Sequence, residues 1–251
     1  MSGHSKWSTI KRKKAANDAK RGKVFTRLSR EITIAARSGG DPEMNAALAL
    51  AIDKAKAENM PKDNIERAIK RGTGELKDAA EIVEVIYEAY GPNGVALLIE
   101  VATDNRNRTL ADLKHRLNRV GGSMAEPGSV SWQFEQKGYI AIPSDGLDYD
   151  EVFMAAAEAG AEDVIDGGDV YEIYTPRDEL HGVLGALKQA GVQTEEARLD
   201  WVPKTVLDLS PEASMKVMNL IEDLEDADDT QMVYSNLNVT DELVAAFEAA
   251  G

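Results

Sequence analysis

The stretch EIVEVIYEAYGPNGVALLIEVA, residues 81–102, decides the fold. Its halves, 81–90 and 94–102, are rich in Val, Ile and Tyr; over 83–89 the odd positions Val83, Val85, Tyr87 and Ala89 are all apolar, while Glu84 and Glu88 fall on the other face. A period of two reads as strand. Between the halves, Gly91-Pro92-Asn93-Gly94 supplies turn chemistry: a Pro with fixed φ, then Asn and Gly, which accept positive φ. The stretch therefore reads as a β-hairpin. What precedes it has helical spacing, so the chain changes here from all-helical to α+β.

Upstream, Val24, Phe25, Leu28, Ile32, Ala35 and Ala36 recur at helical intervals over 24–37, and Ser38-Gly39-Gly40 stops that helix. Asp41-Pro42-Glu43 reads as the start of a second helix: a capping acid, Pro in the first turn, and an acid at the positive dipole end. Leu48, Ile52 and Ala55 form its apolar stripe, and Asn59-Met60-Pro61 breaks it. Ile65, Ala68 and Ile69 mark a third helix, with Gly72 read as its C′ stop. The reading gives a basic arm (1–23), a helical domain (24–75) and a linker over about 73–80.

Downstream, Thr109-Leu110-Ala111-Asp112 resembles a capping box, opening a helix with Leu110, Leu113, Leu117 and Val120 inward. Residues 129–134 alternate, with Val130, Trp132 and Phe134 on one face. The Gly-rich loop over 121–129 lacks a P-loop lysine, and reads as a connection that lets Trp132 enter the core. From 139 to 201 the order is βαββαβ, the ferredoxin-like arrangement. After Pro203 come a strand (204–209), a helix (211–225) and a strand (231–236), which can complete the sheet begun at Glu81. The expected fold class is multidomain α+β. A three-helix domain precedes two ferredoxin-like α+β domains, one (136–202) inserted in the other (80–135 plus 203–240).

The chain has 251 residues, 43% of them hydrophobic, and no cysteine. That excludes disulfides, thiolate zinc sites and Cys nucleophiles, and fits a reducing, cytoplasmic compartment. No apolar run approaches the roughly 20 residues that cross a bilayer, so no membrane partner is expected. The net charge of -15 conceals a polarised distribution. Residues 1–30 carry ten Lys/Arg and a single acid, Asp18, whereas residues 135–251 carry 27 acids and six bases. A basic end is the footprint of a polyanion partner, and the acidic remainder confines such contact to that end.

Lys6, Lys11, Arg12, Lys13, Lys14, Lys20, Arg21, Lys23, Arg27 and Arg30 are too dense to be paired by Asp18. If about six of them reach phosphates, log affinity falls against log salt with a slope of roughly -5. Trp7 offers a face on which a base can stack, worth on the order of 1–3 kcal/mol, or serves as a local hydrophobic anchor. The competing reading pairs the arm with the protein's own acidic half. A second constellation is TDNRNRT, residues 103–109. Arg106 and Arg108 sit near a helix N-terminus, where the dipole disfavours cations. Either Asp104 offsets this or a bound anion does. Lys114, Arg116 and Arg119 read as continuing along the outer face of the same helix.

Enzyme signals are poor. His4, His115 and His181 are scattered, and Gly72-Thr73-Gly74 is no dinucleotide fingerprint. The run EDLEDADD, residues 222–229, lacks the pattern of a calcium loop and reads as a solvated acidic helix end. No catalytic residue, metal or cofactor is expected.

Four motifs occur in order: GHSKWSTIKRKKAANDAKRGK (3–23), TDNRNRT (103–109), GGSMAEPGSVSW (121–132) and VYSN (233–236). With them the chain resembles the YebC/PmpR family, which includes the mitochondrial translational activator of cytochrome oxidase subunit I. The likeness covers essentially the whole chain. It implies a helical N-terminal domain, two α+β domains, no enzymatic activity and a nucleic-acid partner. That partner is DNA for a transcriptional regulator, or ribosomal or transfer RNA for a ribosome-associated translation factor. A third reading is a protein–protein adaptor whose arm docks on an acidic partner. The acidic domains would offer a contact for the ribosome or a protein.

Overall fold

Amphipathic spacing builds the first three helices of the computed structural model, which describes residues 21–76 and 80–250. Helices α1 (Arg21–Ala35), α2 (Ala46–Ala57) and α3 (Lys62–Gly72) enclose Leu28, Ile32, Leu48, Ala55, Ile65 and Ala68. The cap of α2 is Asn45, and Asp41-Pro42-Glu43 makes only the preceding turn. Asn45 Oδ1 accepts from the Leu48 amide at 3.1 Å, and its Nδ2 donates to the Ala35 and Gly39 carbonyls, both at 2.8 Å. One side chain thus joins the end of α1 to the start of α2. Gly72 is the last residue of α3, and positive φ falls instead at Gly74 (79°). A Cβ on Gly72 would lie 2.3 Å from the Thr33 carbonyl oxygen, so glycine is required there for α1 and α3 to touch.

The hairpin forms as β1 (Val83–Tyr90) and β2 (Ala96–Thr103), in register from Val83↔Thr103 to Tyr90↔Ala96. Its turn places Asn93 (60°) and Gly94 (77°) at positive φ. Helix α4 (Arg106–Arg119) and the short β3 (Ser123–Met124) follow, β3 pairing with β1. The chain then builds β4 (Phe134–Pro143), α5 (Tyr149–Glu158), β5 (Asp163–Asp166), β6 (Val170–Pro176), α6 (Leu180–Gln189) and β7 (Glu196–Pro203). It returns with α7 (Pro211–Glu225), β8 (Thr230–Ser235) and α8 (Asp241–Ala250). The first sheet runs β3-β1-β2-β8, with the hairpin at its centre, and the second runs β5-β6-β4-β7; all pairings are antiparallel. The second order is that of a ferredoxin-like unit. No helix among the described residues is long and apolar enough to cross a membrane.

Helices α4, α7 and α8 cover one face of the first sheet, meeting at Leu97, Ile99, Leu113, Leu117, Ile221 and Phe247. Several expectations change here. Helix α4 is capped by Asn105, so Thr109 lies inside it and is buried, while Leu110 and Val120 are exposed. Residues 204–209 give a single bridge, Leu207 to Leu237, and no strand. Helix α8, beyond the end of the sequence reading, completes the core with Leu243 and Phe247. Trp132 is 67% exposed. The Glu88 carboxylate accepts from the amides of Gly128 (2.7 Å), Val130 (2.5 Å) and Ser131 (2.9 Å). This curls residues 131–133 into a 3-10 turn instead of an alternating strand. Val130 and Phe134 go inward, and Trp132 is turned out.

The opposite face of the first sheet meets β7. Leu98 and Tyr234 pack with Val130, Phe134 and Trp201. Glu100 on β2 accepts from Trp201 Nε1 (3.2 Å) and the Tyr234 hydroxyl (3.3 Å). Burial, then the neighbouring Asp200 charge, pushes the Glu100 carboxyl up to about 7, against partial relief from Tyr234, Trp201 and Arg198. An acid raised in the folded state binds more protons folded than unfolded between its two pKa values, so it costs stability as pH rises through that window. Glu100→Gln is expected to stabilise the protein by roughly 2–3 kcal/mol at pH 8, with the gain vanishing near pH 4.5. Chemical denaturation across pH checks this; a gain independent of pH would contradict it.

Candidate nucleic-acid interface

Two neighbouring helix ends among the described residues carry charges that oppose their dipoles. Helix α4 begins with Arg106 and Arg108, and α7 ends in the acidic run 222–229. Cations at an N-terminus and anions at a C-terminus are each unfavourable. The fold offsets both by bringing the two ends together.

Asp229, 6% exposed, is the meeting point. It accepts from Arg30 Nη2 on α1 at 2.6 Å and from Arg108 Nη2 at 2.9 and 3.0 Å. The hydroxyls of Thr109 (2.5 Å) and Thr103 (3.2 Å) also donate to it. Burial alone would raise its pKa, but the Thr109 and Arg108 hydrogen bonds and the Arg30 charge outweigh that and lower it. Reciprocally, its hydrogen bond and charge raise Arg108. Arg30 Nη1 also donates to the Asp228 carbonyl. Arg116 donates to the Asp223 carboxylate at 2.7 Å and its carbonyl at 2.8 Å, and to Asp112 at 2.9 Å. Lys23 lies 3.8 Å from Asp226 in a more exposed pair, which contributes little by comparison.

Other contacts attach the bundle at its remaining edges. Arg37 donates to the Ile82 carbonyl. Arg71 donates to the Ala80 carbonyl at 2.6 Å and lies 3.5 Å from Asp104, which also holds Arg108 at 3.1 Å. Lys54 bridges Glu31 (3.4 Å) and Glu196 on β7 (3.2 Å). Burial lowers the Lys54 pKa, but those two carboxylates more than restore it. Where the bundle and both sheets meet, a cleft of about 710 Å³ is lined by Ile34, Leu50, Lys54, Ile86, Glu100 and Arg198, among others.

The candidate residues therefore fall into three groups. Lys6, Trp7, Lys11, Arg12, Lys13, Lys14 and Lys20 lie outside the described residues, as does the side chain of Arg21. Lys23, Arg30, Arg108 and Arg116 converge on the acidic run 223–229. Arg106, Lys114 and Arg119 are exposed and Arg27 is half-buried, and none of these four has an ion pair among the described residues. Residues 222–229 are thus not a solvated helix end; three of their acids are ligands for basic side chains. Arg116 is half-buried between α4 and α7 rather than outward-facing. The sequence reading missed Asp229, Thr103 and Thr109. The threonines were visible only as part of TDNRNRT, and nothing local ties them to a carboxylate 120 residues away. No cluster of His, Cys, Asp and Glu able to hold a metal ion occurs among the described residues.

Comparison with known proteins gives the following. The profile of the TACO1/YebC N-terminal domain matches residues 5–75, and that of the TACO1/YebC second and third domain matches residues 82–237. The chain is 53% identical over 250 residues to a protein of Acidithiobacillus ferrooxidans named "Probable transcriptional regulatory protein", covering 99% of each. It is also 53% identical over 247 residues to a similarly named protein of Desulfotalea psychrophila, covering 97% of this chain and 98% of that one. The crystal structure of a conserved hypothetical protein from Aquifex aeolicus matches with a TM-score of 0.82 at 44% identity, over 89% of this chain and 93% of that one.

Removing the Asp229 charge leaves Arg30, largely buried, without a carboxylate, whereas Arg108 keeps Asp104 and solvent. Asp229→Asn is therefore expected to destabilise the protein by about 3 kcal/mol at pH 7. Because the Asp229 pKa is lowered by folding, its contribution is present above the ordinary carboxylate range and is lost as pH falls through the folded value. The gap between variant and wild type should therefore narrow in acid, as thermal denaturation at both pH values would read.

Proposed function

The chain belongs to the TACO1/YebC family, and we propose that it is a non-enzymatic, cytoplasmic regulator of gene expression that acts by binding nucleic acid. The observation that supports this most is the division of its cations. The acids of residues 223–229 engage Lys23, Arg30, Arg108 and Arg116. Arg106, Lys114 and Arg119 stay exposed on α4. The first 20 residues add Lys6, Lys11, Arg12, Lys13, Lys14 and Lys20 against one acid. Cations without a carboxylate in reach are the ones a phosphate backbone can claim.

DNA is the first target considered, since relatives are named as transcriptional regulatory proteins. RNA of the ribosome is the second. The net charge of -21 over residues 135–251 repels further nucleic acid but suits the basic proteins that accompany ribosomal RNA. In either case the reading assigns the cations to phosphates and not to base edges, so sequence preference would come from shape or from a partner.

Crosslinking in cells, followed by sequencing of the recovered nucleic acid and sedimentation of lysate with and without ribonuclease, separates the two. Discrete DNA sites without ribosome co-migration support the transcriptional role; RNA crosslinks with co-migration support the translational one. Under either, deleting residues 1–20 is expected to weaken binding at least tenfold and flatten its salt dependence. Affinity unchanged by the deletion would overturn the assignment of the arm.

A further inference from the structure

Between Lys137 and Arg177 the chain contains no Lys, Arg or His, while residues 144–176 hold ten carboxylates. Helix α5 lies within this stretch. Its inner side, Val152 and Ala156, is buried in the core of the second sheet. Its outer side combines exposed acids with exposed apolar groups: Phe153 is 41% and Met154 is 55% exposed. Asp150 lies one helical turn before both, and Glu158 one turn after Met154. Asp150, Glu151 and Glu158 are exposed and have no ion pair among the described residues. The Phe153 ring lies 6.1 Å from that of Tyr149, which in turn meets Tyr171 edge-on at 5.5 Å, so Phe153 rests on an aromatic base. Beneath Phe153 and Tyr149, the Tyr171 phenol is pushed up first by burial and then by the Asp166 and Asp148 charges.

An exposed apolar pair on one helical turn offers a seat for a partner's apolar side chains, and a one-signed rim around it selects the partner by charge. Nucleic acid is repelled, and the same face of a second copy carries the same charge. We infer that this face of α5 docks a basic polypeptide segment of another protein. Its apolar side chains seat on Phe153 and Met154, and its Lys or Arg groups reach Asp150, Glu151 and Glu158. The site is separate from the cations assigned to nucleic acid and does not depend on that assignment.

The test titrates the full chain with two synthetic helix-forming peptides of equal charge, one of Lys, Arg and Leu, the other with Ser in place of Leu. Fluorescence anisotropy is expected to show the Leu peptide binding at least tenfold more tightly. Phe153→Ser with Met154→Ser should remove that advantage, and Asp150→Lys with Glu151→Lys should abolish binding of both peptides. Nucleic-acid affinity should not fall in the apolar double variant. Equal affinity for the two peptides, or wild-type affinity in the apolar double variant, would overturn the inference. Should that variant fail to fold by circular dichroism, the Met154 methyl resonance of the wild-type protein gives the same reading. A shift on adding the Leu peptide supports the site, and no shift overturns it. Self-association that disappears in the apolar double variant, or on deleting residues 1–20, would also overturn it, by assigning the face to a second copy.

Discussion

A single carboxylate whose oxygens are taken by two arginines and two threonines holds three distant parts of this chain together. Asp229 stands at the entrance to β8, Arg30 comes from the helical bundle, and Thr103, Arg108 and Thr109 come from the end of the hairpin and the start of α4. Each group is costly without the others. A buried carboxylate needs counter-charge, arginines at a helix N-terminus need an anion, and acids at a helix C-terminus need cations. Brought together, these liabilities cancel, and the bundle gains a fixed position on the first sheet. Apolar packing within each sheet and within the bundle is ample, but the joint between bundle and sheet rests on arginine contacts with Asp229, Asp228, Ile82, Ala80 and Asp104.

This cancellation also sorts the basic residues by role. A cation held by a buried carboxylate and a helix-end carbonyl is a poor phosphate ligand, because phosphate must first displace both. A cation facing water has no such competitor. The acidic half therefore does more than repel polyanions at a distance. Through Asp229 and Asp223 it draws Arg30 and Arg116 largely out of solvent, holds Arg108 in an ion pair that stays half exposed, and leaves Arg106, Lys114 and Arg119 facing water. On helix α5, acids without an ion pair among the described residues flank an exposed Phe and Met, and there the chemistry suits a basic protein.

Much of the architecture was legible because it follows from short-range pattern. The period-two alternation of 81–102 with its turn, the helical spacing of Leu28 and Ile32, and the βαββαβ order of 139–201 all carried through to the structure. The failures share a physical cause. Asn45 displaced Asp41 as a cap because its amide also satisfies the end of α1, a tertiary reward that local rules do not contain. Trp132 left the core because Glu88, more than 40 residues away, gathers three amides into a turn. Gly72 resembled a helix stop but serves a helix crossing. The acidic run looked solvated because its partners, Arg30, Arg108 and Arg116, are over 100 residues distant in sequence.

Arginine-specific modification by phenylglyoxal, read by mass spectrometry with and without bound nucleic acid, tests this partition of cations. Arg106 and Arg119 are expected to react in the free protein and to be protected in the complex, while Arg30 and Arg116, largely buried in their ion pairs, react slowly in both. Arg106 and Arg119 unprotected in the complex, with Arg30 and Arg116 reactive when free and protected when bound, would refute the partition.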